Sequence, residues 1–152
     1  MFDALNFPPA DLSIVSVKEK IHLQCLLRKK LLVFTPEEWV RQHVLNYLIN
    51  HLNYPPGFIS VEKGITINKL QRRADVIVSN RLGEPTLLIE CKAASVNLNE
   101  KVFHQLAHYN SKVKASFFCI TNGINHYTFK IGVENQSVVN IDKMPNWDEI
   151  NQ

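Results

Sequence analysis

The stretch from Arg73 to Ala93, RADVIVSNRLGEPTLLIECKA, places three charged residues in two apolar runs. The runs read as strands, and Asn80-Arg81-Leu82-Gly83-Glu84-Pro85 between them reads as a hairpin turn, with Gly83 supplying a positive φ. Asp75 stands near the start of the first strand, and Glu90 and Lys92 near the end of the second. A hairpin brings Asp75 across from Glu90. Strand side chains alternate, so Lys92 shares a face with Glu90. Charges in buried strands need a partner or a function. Two facing carboxylates repel unless a cation lies between them or one is protonated. Two carboxylates and an ammonium on one face form an arrangement able to hold a divalent metal and act on a phosphate.

The rest of the chain must bury this hairpin. At 152 residues and 45% hydrophobic, the sequence predicts a single globular domain over residues 1–152. The formal net charge of +3 permits nucleic-acid contact without requiring it. Cys25, Cys91 and Cys119 are odd in number and contain no CxxC pair, which argues against a disulfide framework or a cysteine-rich zinc site. No apolar run reaches membrane-spanning length and no signal core opens the chain, so the expected setting is a reducing cytoplasm. No Walker A sequence is present, so no ATP is expected to bind.

Residues Met1 to Asp11 read as an irregular arm. Ile14, Val15 and Val17 suggest the start of a strand, and the middle of Lys18 to Lys30 reads as strand or short helix. Arg28, Lys29 and Lys30 form the densest basic cluster, which suits a solvated turn or a phosphate contact. Thr35-Pro36-Glu37-Glu38 opens a helix to about Leu52, with Thr35 as N-cap and Glu38 completing a capping box. Val40, Val44, Tyr47, Leu48 and His51 are expected to face the core. Glu37 borders that stripe, as a helix-dipole partner or as a third carboxylate aimed at the hairpin.

Phe58 to Glu62 alternates as a strand that Gly64 is expected to break, with Ile65 and Ile67 continuing briefly beyond it. Strands follow at Ala74–Val78 and Thr86–Cys91; the second is apolar on both faces and should be central and covered. A second long helix runs from Asn99 to about Val113, followed by a buried strand over Ala115–Thr121. That crossover favours parallel pairing of the strands it joins. His126–Ile131 reads as a strand nearer an edge, paired with Val138–Ile141. The tail from Asp142 to Gln152 is expected to be loosely held or docked by Trp147.

The order helix, three strands, helix, strand gives an α/β fold with an αβββαβ core. Asp75 followed by Glu90-Cys91-Lys92 on the second and third strands resembles the PD-(D/E)xK nuclease signature, with Ala74 where the signature has proline. Gln105 and Tyr109 on the crossover helix resemble the Q-x-x-x-Y motif that accompanies it. The stretches TPEEWVRQHVLNYLI, ISVEKG, RRADVIV, LLIECKA and TNGINHYTFKI, in that order, resemble the N-terminal nuclease-domain family of type I restriction enzyme R subunits.

The resemblance implies a restriction-endonuclease-like fold: a mixed sheet flanked by helices, with its core at about 33–131, an N-terminal arm at 1–32 and a C-terminal extension at 132–152. It implies Mg²⁺-dependent hydrolysis of DNA, with Mn²⁺ able to substitute. Asp75 and Glu90 look like metal ligands, joined by the Cys91 backbone carbonyl and by Glu37. Lys92 looks like the residue that orients the attacking water and the phosphate. Gln105 and Tyr109 would fix Lys92 and the nucleic-acid strand, with Arg72 and Arg73 as further nucleic-acid contacts. A homodimer, or partner restriction and motor subunits, is implied; a membrane is not.

Plainer readings stand beside these. Asp75 could pair with Arg72 or Arg73, Glu90 and Lys92 could be an ordinary end-of-strand pair, and Gln105 and Tyr109 could simply cover the sheet. His104 and His108, at i and i+4, could chelate a metal or be surface residues. The fold could equally serve a non-catalytic nucleic-acid-binding or assembly module.

Overall fold

The computed structural model describes residues 2–67, 70–132 and 137–152, with side chains at 62–67 and 70–74 outside the description. Nine strands and three α-helices run in the order β1 (Ile14–Val17), β2 (Lys20–Gln24), β3 (Leu31–Val33), α1 (Pro36–Asn50), β4 (Ile59–Ile67), β5 (Leu70–Ser79), β6 (Pro85–Cys91), α2 (Glu100–Val113), β7 (Phe117–Thr121), β8 (His126–Ile131), β9 (Val138–Ile141) and α3 (Trp147–Ile150) among the described residues. β4 to β9 form one six-stranded sheet in chain order, and β1 to β3 a separate three-stranded sheet. Among the described residues only β6 and β7 pair in parallel, as the crossover through α2 predicts. The core order αβββαβ and the mixed sheet flanked by helices are as the sequence suggests.

β6 is central and covered: Leu87, Leu88 and Ile89 are fully buried. One face of the large sheet packs Val76, Val78, Leu87, Ile89, Cys91 and Cys119 against α1 residues Val40, Val44 and Leu48. The opposite face packs Ile77, Leu88, Phe118 and Ile120 against Val102, Leu106 and Tyr109 of α2. The alternation along each strand thus feeds two cores, one per helix.

The helix starts follow their sequence signals. Thr35 caps α1, its Oγ1 accepting from the Glu38 N–H at 3.0 Å, and Asn99 caps α2 by accepting from the Val102 N–H at 3.2 Å. Asn80 builds the hairpin turn: its side-chain oxygen accepts from Leu82 N–H at 2.9 Å and Glu84 N–H at 3.0 Å, and Gly83 takes φ 81°. A bulge between Val78 and Ser79 then sets the register with β6.

Two expectations, for Gly64 and His51, are corrected, and two that the sequence left open, for Lys18 to Lys30 and for the tail, are decided. Gly64 does not end β4, which continues to Ile67 paired with the start of β5. There is no helix in Lys18 to Lys30; β2 and β3 occupy much of that region and the flanking residues, and Leu23 and Cys25 are buried. His51 is exposed rather than core-facing. The tail is docked rather than loose: Tyr54 Oη donates to the Pro145 carbonyl at 2.6 Å, Trp147 N–H donates to the Leu52 carbonyl at 3.0 Å, and the indole packs on Tyr54 and Phe58.

The helix faces explain the third point. α1 buries Arg41, Gln42, His43, Leu45 and Asn46 as well as its apolar stripe, because the N-terminal arm and the small sheet cover its other side. Phe7 stacks near His43, Trp39 Nε1 donates to the Asp3 carbonyl at 2.9 Å, and the Gln42 Oε1 accepts from the Leu26 N–H at 2.9 Å. No described helix is long and apolar enough to cross a membrane.

Trp147 is the test of the tail. Truncating a buried aromatic costs about 3–5 kcal/mol. Trp147→Ala is expected to lower the urea-unfolding free energy by about that amount. A loss below about 1 kcal/mol would show that the tail is not part of the core.

Candidate metal and phosphate site

The β5–β6 ladder ends at the pair Val76–Ile89, and the next step of the same register sets Asp75 opposite Glu90. The hairpin therefore delivers the predicted facing carboxylates. Asp75 replaces a ladder partner: its Oδ2 accepts from the Cys91 N–H at 2.7 Å. Its Oδ1 accepts from Arg41 Nη2 at 2.6 Å. The Lys92 ammonium lies 3.4 Å from Glu90 Oε1. The Lys92 backbone N–H donates to the Thr121 carbonyl at 2.8 Å, so the end of β7 fixes where this lysine leaves the sheet.

Arg41 is the group that sequence reasoning missed. Its guanidinium also donates to Glu38 Oε2 at 2.8 Å and to Glu37 Oε1 at 3.2 Å. The spacing held a signal. Glu37 and Glu38 precede Arg41 by four and three residues, which puts all three on one side of the first helical turns. Glu38 belongs to this network and is buried, so capping alone does not account for it. Asp75 pairs with Arg41 on α1; Arg72 and Arg73 lie on β5, and their side chains fall outside the described residues.

Electrostatics separate the two facing acids. Burial, then the charge of Asp75, pushes Glu90 up to about 8 despite the opposing pull of Lys92. Burial and Asp75 also raise Glu37. Burial works against the charge on Arg41, but Asp75 and then Glu38 outweigh it and hold the guanidinium above its usual value. The Cys91 thiol is fully buried and pushed up by that burial, so its side chain is a packing group. The three cysteines are free and buried.

On α2, Tyr109 is buried against the sheet and Gln105, one turn earlier, is exposed. Among the described residues the charge partner of Lys92 is Glu90, and no hydrogen bond joins Lys92 to Gln105 or Tyr109. His104 and His108 are exposed. A cleft of about 240 Å³ lined by Phe7, Tyr47, His126 and Lys143 contains none of the predicted site residues.

Among the described residues no three His, Cys, Asp or Glu side chains close into a metal cage. Mg²⁺ does not need one: it keeps several waters and is held by one or two carboxylates together with substrate phosphates. Asp75 facing Glu90 supplies hard oxygen donors of that kind, and the raised Glu90 records a charge conflict that a divalent cation relieves. The residues fit such an ion.

A family model described as the type I restriction enzyme R protein N terminus matches residues 36–145. The chain belongs to this family. The match spans the elements from α1 to β9, ends before α3, and includes every residue of the site. Among solved structures, a fragment of a putative HsdR subunit of a type I restriction enzyme from Vibrio vulnificus YJ016 superposes with a TM-score of 0.53 at 18% identity. It covers 77% of this chain, which spans only 24% of that one. At this identity the likeness shows the fold. No curated protein matches the chain.

The Glu90 carboxyl gives a pH test. Its folded value of about 8 lies above the ordinary 4.5, so the metal-free folded state holds the extra proton. Stability is then lost as pH rises from the unfolded value through the folded one. Glu90→Gln, which cannot ionise, is expected to raise the melting temperature relative to wild type in chelator. The gain should be small near pH 5 and grow until about pH 8. An equal difference at both ends of that range would show that Glu90 ionises normally.

Proposed function

We propose that this chain is a Mg²⁺-dependent nuclease domain that hydrolyses phosphodiester bonds in DNA. The observation that carries the reading is Asp75 opposite Glu90 with Lys92 beside it, at the end of the central strands of a type I R-protein N-terminal fold. Asp75, Glu90 and the Cys91 backbone carbonyl would hold the ion. Bound there, Mg²⁺ supplies neutralisation of the scissile phosphate and a more acidic water, with Mn²⁺ able to substitute.

The chain's own residues do the rest. Lys92 is fixed at its backbone by Thr121 and at its ammonium by Glu90, so its charge is held where a phosphate oxygen or attacking water meets the carboxylates. Without the ion Glu90 holds a proton near neutrality, and it would give that proton up on becoming a ligand. Gln105 is open to solvent on α2 and able to meet a nucleic-acid strand, with Tyr109 supporting that helix from the core. Arg72 and Arg73, just before Asp75 in β5, are proposed to meet the phosphate backbone. Assembly with restriction and motor subunits, or pairing with a second copy, belongs to this proposal, as does a cytoplasmic setting.

A second reading, a DNA-binding or assembly module without cleavage, is favoured by one observation: both Asp75 oxygens already accept hydrogen bonds inside the protein. The two readings separate on cleavage of plasmid DNA with Mg²⁺. The nuclease reading predicts that Lys92→Ala lowers the cleavage rate by about 10²–10³ while the fold persists, as loss of one preorganised charge does elsewhere. Equal rates in wild type, Lys92→Ala and Asp75→Ala would leave the second reading.

A further inference from the structure

Strand β9 is one edge of the large sheet. Its sequence, Val138-Val139-Asn140-Ile141, holds no charge, proline or glycine. Its register with β8 runs from Ile131–Val138 to Thr128–Ile141 without a bulge. Charges, prolines and bulges keep sheet edges from pairing with other chains. The opposite edge, β4, carries Glu62, Lys63 and Gly64 in mid-strand. β9 instead leaves Val138 and Val139 45% and 54% exposed.

One bond fixes which backbone groups of β9 point outward. Gly132 N–H donates to the Ser137 carbonyl at 2.7 Å. Antiparallel partners alternate between bonded and non-bonded pairs, so Ser137, Val139 and Ile141 turn their backbone groups to β8. Val138 and Asn140 turn theirs to the open side. Among the described residues no backbone group meets them there. Val138 and Asn140 lie on the α2 side of the sheet, where their β8 partners Ile131 and Phe129 pack, and Val139 lies on the α1 side.

We propose that β9 pairs antiparallel with β9 of a second copy of this chain, about a two-fold axis at Val139. The segment is complementary to itself. Partners across the new ladder must lie on the same side of the sheet, and outward groups must meet. With the axis at Val139, Val138 of each copy opposes Asn140 of the other, and both residues present outward N–H and C=O groups. Val139 then meets its own copy as a non-bonded pair, with Cα atoms about 4.5 Å apart. Moving the axis to Asn140 sets Val138 against Asp142, and moving it to Val138 carries Asn140 past the end of the strand. A neutral strand brings no like charges together, and a two-fold pair uses both edges and stops at two copies.

The proposal gives a surface to the second-copy pairing included in the reading above, and it does not depend on the metal site. The two-fold reverses the strands, so the β6 ends that carry Glu90 and Lys92 fall at opposite ends of the joined sheet. They are several strand spacings of about 4.8 Å apart. Each copy keeps its own open site.

Sedimentation equilibrium of the whole chain in chelator, from about 10 µM to about 1 mM, tests this. A four-residue edge buries less than the roughly 1,200 Å² of stable interfaces, so wild type is expected to pass from monomer to dimer within that range. Val139→Lys and Val139→Glu, which set like charges against each other at the axis, are each expected to stay monomeric and to associate when mixed. In wild type, exchange of the Val138 and Asn140 amides is expected to slow as concentration rises. Wild type monomeric throughout overturns the proposal and leaves the edge to a strand of another protein. A dimer unmoved by Val139→Lys, or variants that stay apart when mixed, also overturns it. None of these readouts involves cleavage, so the nuclease reading is decided separately.

Discussion

One carboxylate joins the two halves of the site. Past Val76–Ile89 the β5–β6 ladder has no backbone partner for the Cys91 N–H, and the Asp75 side chain takes that place. Its other oxygen binds Arg41 on α1. The same residue therefore ends a sheet ladder and anchors a helix to it. Buried ions repay their desolvation only when geometry and remaining hydrogen bonds are good, and removing one partner costs about 3–5 kcal/mol. Replacing such a network with apolar residues is often neutral for stability. Stability alone therefore gives no reason to keep Arg41 and Asp75 buried, whereas a fixed acid at the mouth of the sheet does.

That anchoring makes the two facing acids unequal. Asp75 has a guanidinium at 2.6 Å. Among the described residues Glu90 has only a partly exposed ammonium at 3.4 Å, and its own burial together with Asp75 outweighs that help. The conflict is resolved on Glu90, which keeps a proton near neutrality. On the proposed reading, a cation held beside it would displace that proton and so link metal affinity to pH through this one residue. The pair resembles other sites where two carboxyls take different roles because their surroundings differ.

The hairpin was legible in the sequence because it is local. Alternation and the turn residues Asn80 and Gly83 set the register, and the register sets Asp75 against Glu90. The parallel β6–β7 pair was legible for a topological reason, since a crossover helix allows little else. Arg41 was not, because its partner Asp75 is distant in the chain and only packing brings them together. His51 was misplaced for a related reason: a single helical stripe cannot show that the N-terminal arm covers a second side of α1. Gly64 misled because a glycine weakens a strand but a long paired neighbour can carry it through.

The role of α2 follows from the same topology. Lys92 leaves the sheet where Cys91 pairs with Thr121 and where its own N–H meets the Thr121 carbonyl, so the β6–β7 pairing aims it. That pairing is parallel and exists only because α2 carries the chain back over the sheet. Val102, Leu106 and Tyr109 hold α2 down on Ile77, Leu88 and Phe118. Leu88 lies two residues before Glu90 in β6, and Phe118 is its partner in β7. Tyr109 is therefore linked to Lys92 through the packed sheet. Gln105, on the same helix and exposed, is placed to meet what lies outside. One helix thus presents two sides, a buried one packed on the sheet behind Lys92 and an exposed one that carries Gln105.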